Sequence, residues 1–152
     1  MSDEICLKNI LNKKRIFLVE DINKTECLKK LTNILAKEPE VHDEAELEKE
    51  IFKREELMST GIGAGIGIPH VRLNSISNLI MAVCISRNET KEYISLDNKP
   101  INFVFMIISS FNQHTQYIKT LSILSSKLKD DDFKEKLITA ANSDSVFNLL
   151  IN

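Results

Sequence analysis

The sequence predicts an α/β fold, a single domain over residues 1–152 with a mixed parallel and antiparallel sheet flanked by helices on both faces. Three observations carry this expectation. Two long apolar runs, 79–85 and 101–108, do not alternate in period two, as expected of strands covered on both faces. No helical pattern separates them, so some neighbouring strands must pair antiparallel. Segments with apolar residues at helical spacing stand before and after the two runs, enough to cover both faces. A length of 152 residues suits one domain, and 43% hydrophobic with 28% charged residues is a globular rather than a disordered composition.

Taken in order, residues 1–12 place Ile5, Leu7, Ile10 and Leu11 among polar neighbours, as a short helix or an edge segment. Residues 16–19 read as a short buried strand. Asn23 then caps a helix, with Glu26 completing a capping box. Its stripe is Cys27, Leu28, Leu31, Ile34 and Leu35, and Pro39 follows its end. A second helix starts near Asp43, with Glu44 and Glu46 where the helix dipole favours negative charge. Its inward row is Leu47, Ile51 and Met58, with Arg54 on the same row, and it runs straight into a glycine-rich stretch. Between the two core strands, turns at 87–91 and 97–100 surround a short strand at 93–96. Ser109, Ser110 and Asn112 offer caps for a long helix through Lys129, striped by Tyr117, Leu121, Leu124 and Leu128 and carrying His114 in its first turn. Two helices, at about 131–140 and 143–151, complete the chain, the last capped by Ser143.

Several function classes drop out. A net charge of −2 gives no push toward nucleic acid or anionic membrane. Cys6, Cys27 and Cys84 are far apart and odd in number, with neither metal-ligand spacing nor a disulfide framework. They read as reduced thiols of a cytoplasmic protein. No apolar run reaches the ~18–20 residues of a membrane span, and the N-terminus has no signal-peptide pattern. The expectation is no metal, no cofactor, no nucleic acid and no direct membrane insertion.

All four glycines, Gly61, Gly63, Gly65 and Gly67, fall in one stretch that ends at Pro69 and His70. A dinucleotide fingerprint requires Gly where Ile66 or Ile68 stands, and no helical pattern follows directly. A phosphate loop of the Gly-Lys-Ser/Thr kind is absent. The better reading is that Pro69 fixes its own φ, holds Ile68 extended and sets His70 at the end of a short strand. A neutral imidazole is a good nucleophile toward phosphorus near neutral pH. Phosphoryl transfer asks the protein chiefly for position and charge stabilisation. The chain offers bare glycine N–H groups, the Arg54 guanidinium and His114 at a helix start.

These residues resemble a known family. Ser59-Thr-Gly-Ile-Gly-Ala-Gly-Ile-Gly-Ile-Pro-His-Val-Arg72 is similar to the active-site segment of the fructose/mannitol-type enzyme IIA domain of the bacterial phosphoenolpyruvate-dependent sugar phosphotransferase system. Arg54-Glu-Glu-Leu57 before it and Asn112-Gln-His-Thr-Gln116 after it fit the same pattern, which extends over nearly the whole chain. The resemblance implies a phosphotransferase in which His70 is phosphorylated through Nε2. The donor would be the phosphorylated histidine of the carrier protein HPr, and the acceptor a cysteine of an enzyme IIB partner during sugar uptake. Arg54 and His114 would stabilise the phosphoryl group, and none of the three cysteines here would be the acceptor. Two other readings stand beside it: a regulatory paralogue of the nitrogen-related branch that signals by phosphorylation state, and an interaction domain in which His70 is structural. The pattern departs from the family's at three positions, with Val71 where Ala or Gly is usual, Gly67 where Ala is usual and Ala64 where Asn is common in fructose-type members.

Overall fold

The computed structural model describes residues 6–152, so Ile5 of the expected first segment lies outside the described residues. Leu7–Ile10 forms a short helix, α1, and a 3-10 turn at Lys13–Arg15 leads into strand β1, Ile16–Val19. Arg15 is buried. Its Nε donates to the Met81 carbonyl at 3.0 Å, its Nη2 donates to the Ile10 carbonyl at 2.9 Å, and Nη1 pairs with Glu38 at 3.3 Å.

Helix α2, Lys24–Ala36, starts as the capping box requires, with the Asn23 side chain accepting from the Glu26 N–H. Helix α3, Glu44–Leu57, is capped by Asp43, whose carboxylate accepts from the Glu46 N–H at 3.0 Å. Its inward row differs from the expected one. The buried residues are Leu47, Ile51 and Glu55, whereas Met58 is 64% exposed. At 3.6 residues per turn a row can advance by three or by four. Here the step after Ile51 is four, so Glu55 enters the interior and Arg54 flanks it.

The glycine stretch is a small hairpin, β2 (Gly61–Gly63) pairing antiparallel with β3 (Ile66–Gly67), followed by β4, His70–Arg72. Gly63 (φ 102°), Ala64 (φ 57°) and Gly65 (φ 79°) supply three left-handed residues at its tip, a conformation that glycine reaches without strain. His70 therefore opens a strand rather than closing one. Strands β5 (Ile80–Ser86) and β6 (Phe103–Ser109) are buried at every residue, which accounts for their lack of period-two alternation.

The sheet order is β1-β5-β6-β3-β2, with β4 also on β6. β1 runs parallel to β5, β5 antiparallel to β6, and both β3 and β4 parallel to β6. β3 and β4 lie along one edge of β6 in sequence, pairing with Phe103 and Val104 and then with Ile107 to Ser109. They are one strand interrupted at Ile68 and Pro69. The Pro69 carbonyl accepts from the Ile107 N–H, and the Ile68 N–H donates outward to Thr60.

Residues 93–96, expected as a strand, make a single bridge among the described residues, Ser95 to Gly61. Tyr93 and Ser95 point inward while Ile94 and Leu96 are 70% and 75% exposed, so the inward pair is not the aliphatic one. Helix α4 is His114–Lys127, and its cap residue Gln113 makes no side-chain cap bond. Of the expected caps, Ser109 ends β6, while Ser110 and Asn112 build the turn before the helix, where Ser110 Oγ donates to Asn112. Helix α5, Asp131–Ile138, is capped by Asp130, and helix α6, Ser143–Ile151, by Asn142 rather than Ser143.

Two apolar clusters lie on opposite faces of the sheet. One packs Ile66, Ile68, Phe105 and Ile107 against Leu124, Leu137 and Leu150 of α4–α6. The other packs Ala82, Cys84, Val104 and Met106 against Leu28, Leu31, Leu47 and Ile51 of α2 and α3. Helices thus cover both faces, as expected. Each fully buried aliphatic side chain stabilises the fold by about 1.5–3 kcal/mol relative to exposure. Among the described residues no helix is long and apolar enough to cross a membrane.

Candidate active site

Strand parity aims His70. Ile66 and Ile68 face the α4 side, and two residues further His70 faces the same way. Its ring stacks on Tyr117 of α4, with centroids 4.9 Å apart and planes 30° apart. Its Nδ1 lies 2.8 Å from the Ile68 carbonyl oxygen. A carbonyl can only accept, so Nδ1 carries the hydrogen and Nε2 keeps its lone pair. The ring is half-buried, and that burial lowers its proton affinity below the ordinary histidine value. The Ile68 bond opposes this, the Arg54 charge adds to it, Glu55 opposes and Arg72 adds. The net effect is an imidazole that stays neutral to lower pH than usual.

His70 lines a cavity of about 300 Å³ together with Arg54, Lys53, Arg72, Val71 and Phe111. Arg54, in the last turn of α3, donates from Nη1 to the Met58 carbonyl at 3.0 Å. Its other guanidinium N–H groups make no hydrogen bond among the described residues. Arg72, two residues after His70 and so on the same side of the strand, brings Nη1 within 3.5 Å of His114 Nδ1. A guanidinium can only donate, so His114 accepts there and carries its hydrogen on Nε2. The His114 ring centroid is 6.3 Å from that of Tyr117.

The three residues expected from the sequence are thus placed unequally. His70 and Arg54 share the cavity. His114, exposed at the start of α4, joins them through Arg72 and Tyr117 rather than as a cavity wall. Arg72 was not singled out by sequence reasoning, although i, i+2 parity from His70 pointed to it. Tyr117 was assigned to the core stripe, although its i+3 spacing from His114 put both on one helix face.

Behind the imidazole lies a buried polar cluster that the sequence did not reveal. Glu55 Oε1 accepts from the Thr60 N–H at 3.0 Å and from the Thr60 hydroxyl at 3.1 Å, and pairs with Lys24 Nζ at 2.9 Å. The Tyr93 hydroxyl bonds Thr60 Oγ1. Burial, and next the Glu55 charge, push the Tyr93 hydroxyl well above the usual phenol range, so it remains a donor. The Lys24 ammonium also lies 4.8 Å from the Tyr93 ring centroid. A Cβ built on Gly67 would stand 2.8 Å from Tyr93 Cζ and Oη. Tyr93 thus fills the space that an alanine at position 67 would need.

Fold and site together define a small α/β protein that presents an unprotonated imidazole nitrogen beside two guanidinium groups. The chain belongs to the family "Phosphoenolpyruvate-dependent sugar phosphotransferase system, EIIA 2", whose sequence model matches residues 9–152. It is 30% identical over 95% of its length to the PTS system fructose-specific EIIABC component of Bacillus subtilis (strain 168), but spans only 23% of that longer protein. The crystal structure of the nitrogen regulatory protein IIA-Ntr from Neisseria meningitidis superposes with a TM-score of 0.81 at 25% identity, over 93% of this chain and 97% of that one. A complex of enzyme IIA and phosphorylated enzyme IIB for mannitol from Escherichia coli shares the fold, with a TM-score of 0.77 at 24% identity over 92% of this chain and 96% of that one.

Proposed function

We propose that this chain is a phosphoryl carrier of the fructose/mannitol class. His70 accepts a phosphoryl group from the phosphorylated histidine of an HPr-like protein and passes it to a cysteine of an enzyme IIB partner. The observation that carries this reading is the Nδ1–H to Ile68 bond beside the Arg54 cavity. It leaves Nε2 as the only lone pair on the ring. In the first step a bond forms between Nε2 and phosphorus while the bond from phosphorus to the donor's ring nitrogen breaks. The electron pair stays on that nitrogen. In the second step a thiolate of the partner attacks phosphorus and the pair returns to Nε2.

Arg54 forks onto phosphoryl oxygens as charge gathers there in the transition state. Arg72 lines the same cavity, and the Nε2–H of His114, which Arg72 contacts, lies at the start of α4, where an anion is favoured. Leu57 and Phe111 line the same cavity and are 78% and 55% exposed, an apolar rim suited to a docking protein. Cys27 and Cys84 are fully buried and so unsuited to the acceptor role. The likeness to IIA-Ntr favours a second reading, a regulator that signals by its phosphorylation state without transport.

The test is incubation with phosphoenolpyruvate, enzyme I and HPr. Wild type should label and His70→Ala should not; equal labelling of both, or of neither, refutes the carrier reading. Transfer onward to IIB proteins of several sugars then separates transport from regulation.

A further inference from the structure

Glu55 is the carboxylate that helix periodicity hides, and its bonds lead to the imidazole by a short route. Three donors converge on its Oε1: the Thr60 N–H, the Thr60 hydroxyl and the Lys24 ammonium. The Thr60 carbonyl in turn accepts from the Ile68 N–H at 2.9 Å. The Ile68 carbonyl accepts from His70 Nδ1–H at 2.8 Å. Carboxylate, two backbone segments and ring thus form one continuous series of hydrogen bonds from the inside of α3 to His70. The other Glu55 oxygen, Oε2, is buried and makes no hydrogen bond among the described residues.

That arrangement is a poor device for stability alone. A buried ion pair seldom outperforms apolar side chains of the same shape, and an unsatisfied buried carboxylate oxygen costs further. What a buried pair does well is fix a geometry. Here the fixed object is Thr60, the last residue before the hairpin, held on its backbone N–H and its hydroxyl at once. The Tyr93 hydroxyl closes the remaining side of Thr60 Oγ1. Among the described residues only β2 pairs the outer edge of β3, and past Pro69 the strand loses that cover. The Thr60–Ile68 bond is therefore the last outer tie before His70.

We infer that Glu55, held by Lys24, is a positioning residue: through Thr60 and Ile68 it fixes the carbonyl that keeps His70 in its Nδ1–H form with Nε2 free to take the phosphoryl group. The inference rests on the carrier reading for its consequence, though not for its geometry. It requires an acceptor oxygen at the Glu55 position, not its charge.

Three variants separate position from charge. Glu55→Gln keeps an acceptor oxygen at the same reach and removes the charge. Glu55→Asp keeps the charge and draws the oxygen back by one methylene. Glu55→Ala removes both. The tautomer of His70 is read by nitrogen NMR with no phosphoryl donor present, and the labelling rate is read with phospho-HPr. Glu55→Gln is expected to keep the Nδ1–H form and label within about threefold of wild type. Glu55→Asp and a folded Glu55→Ala should show a mixture of tautomers and label at least tenfold more slowly, since ~1 Å of misplacement can cost about a hundredfold. If Glu55→Ala does not fold, the Gln and Asp variants decide between them, and any order other than Gln near wild type with Asp impaired overturns the inference. A wild-type protein that takes no phosphoryl group refutes the carrier reading instead, and the tautomer ratios still decide this one.

Discussion

Gly67→Ala tests how tightly Tyr93 is bound to the strand that carries His70. The added Cβ would lie 2.8 Å from Tyr93 Cζ, 2.8 Å from Oη and 3.1 Å from Cε2. Carbon atoms in contact prefer about 3.5–4.0 Å, so the ring must retreat by roughly 0.7 Å. It is not free to do so, because its hydroxyl is bonded to Thr60 and the Lys24 ammonium lies over its face. Overpacking of this kind costs about 1–3 kcal/mol. In a chain of this size each kcal/mol lowers Tm by about 2–4 °C. The assay is urea unfolding of wild type, Gly67→Ala, Tyr93→Leu and the double variant. In the Tyr93→Leu background the cost of Gly67→Ala should nearly vanish, leaving a coupling of about 1–3 kcal/mol. A Gly67→Ala variant as stable as wild type, or costs that add to within about 0.5 kcal/mol, would refute the reasoning.

Arg54→Ala should slow phosphoryl transfer to His70 by about tenfold to a hundredfold, at or below the lower limit of about a hundredfold to a thousandfold for losing one preorganised donor, because the cavity is open to solvent. Single-turnover labelling with phospho-HPr checks this, and an unchanged rate removes Arg54 from the site. The labelling rate should fall on acidification only below the ordinary histidine value, because the protonated ring has lost its nucleophilic pair and burial holds the folded-state value below 6.5. An inflection above 6.5 in the pH–rate profile would contradict the burial effect. The same depression makes the unfolded state bind more protons between the folded-state value and 6.5, so the His70 contribution to stability is present above 6.5 and is lost as pH falls through that window. Ala64→Asn should stabilise the hairpin tip by about 0.5–1 kcal/mol, since Ala64 sits at φ 57°, where alanine is strained and asparagine is tolerated. An unchanged unfolding midpoint would remove that strain from the account.

Much of this architecture was legible because its signals are local. The continuous apolar runs announced β5 and β6, and the Asn23 and Asp43 caps marked the starts of α2 and α3. The candidate nucleophile was legible for the same reason, since Pro69 and the strand beside it lie next to His70 in the chain. The rest depends on contacts between distant residues. The step from Ile51 could have gone to Arg54 or to Glu55, and only the pairing of Glu55 with Lys24 and Thr60 settles which enters the interior. Residues 93–96 carry two aliphatic side chains, yet it is Tyr93 and Ser95 that face inward, because Gly67 leaves room for a ring. The vacancy created by one missing methyl group, at a position 26 residues earlier in the chain, chooses the register of that segment.

The interruption at Pro69 has a consequence for the timing of order. His70 is set by its pairing with Ile107, on a strand that is paired along both of its edges and has no exposed residue. The proposed nucleophile is therefore oriented when the sheet assembles, not when a donor arrives. The rotational entropy that a loop-borne histidine would lose at each encounter is lost once, during folding, and the encounter itself begins from a ring already aligned.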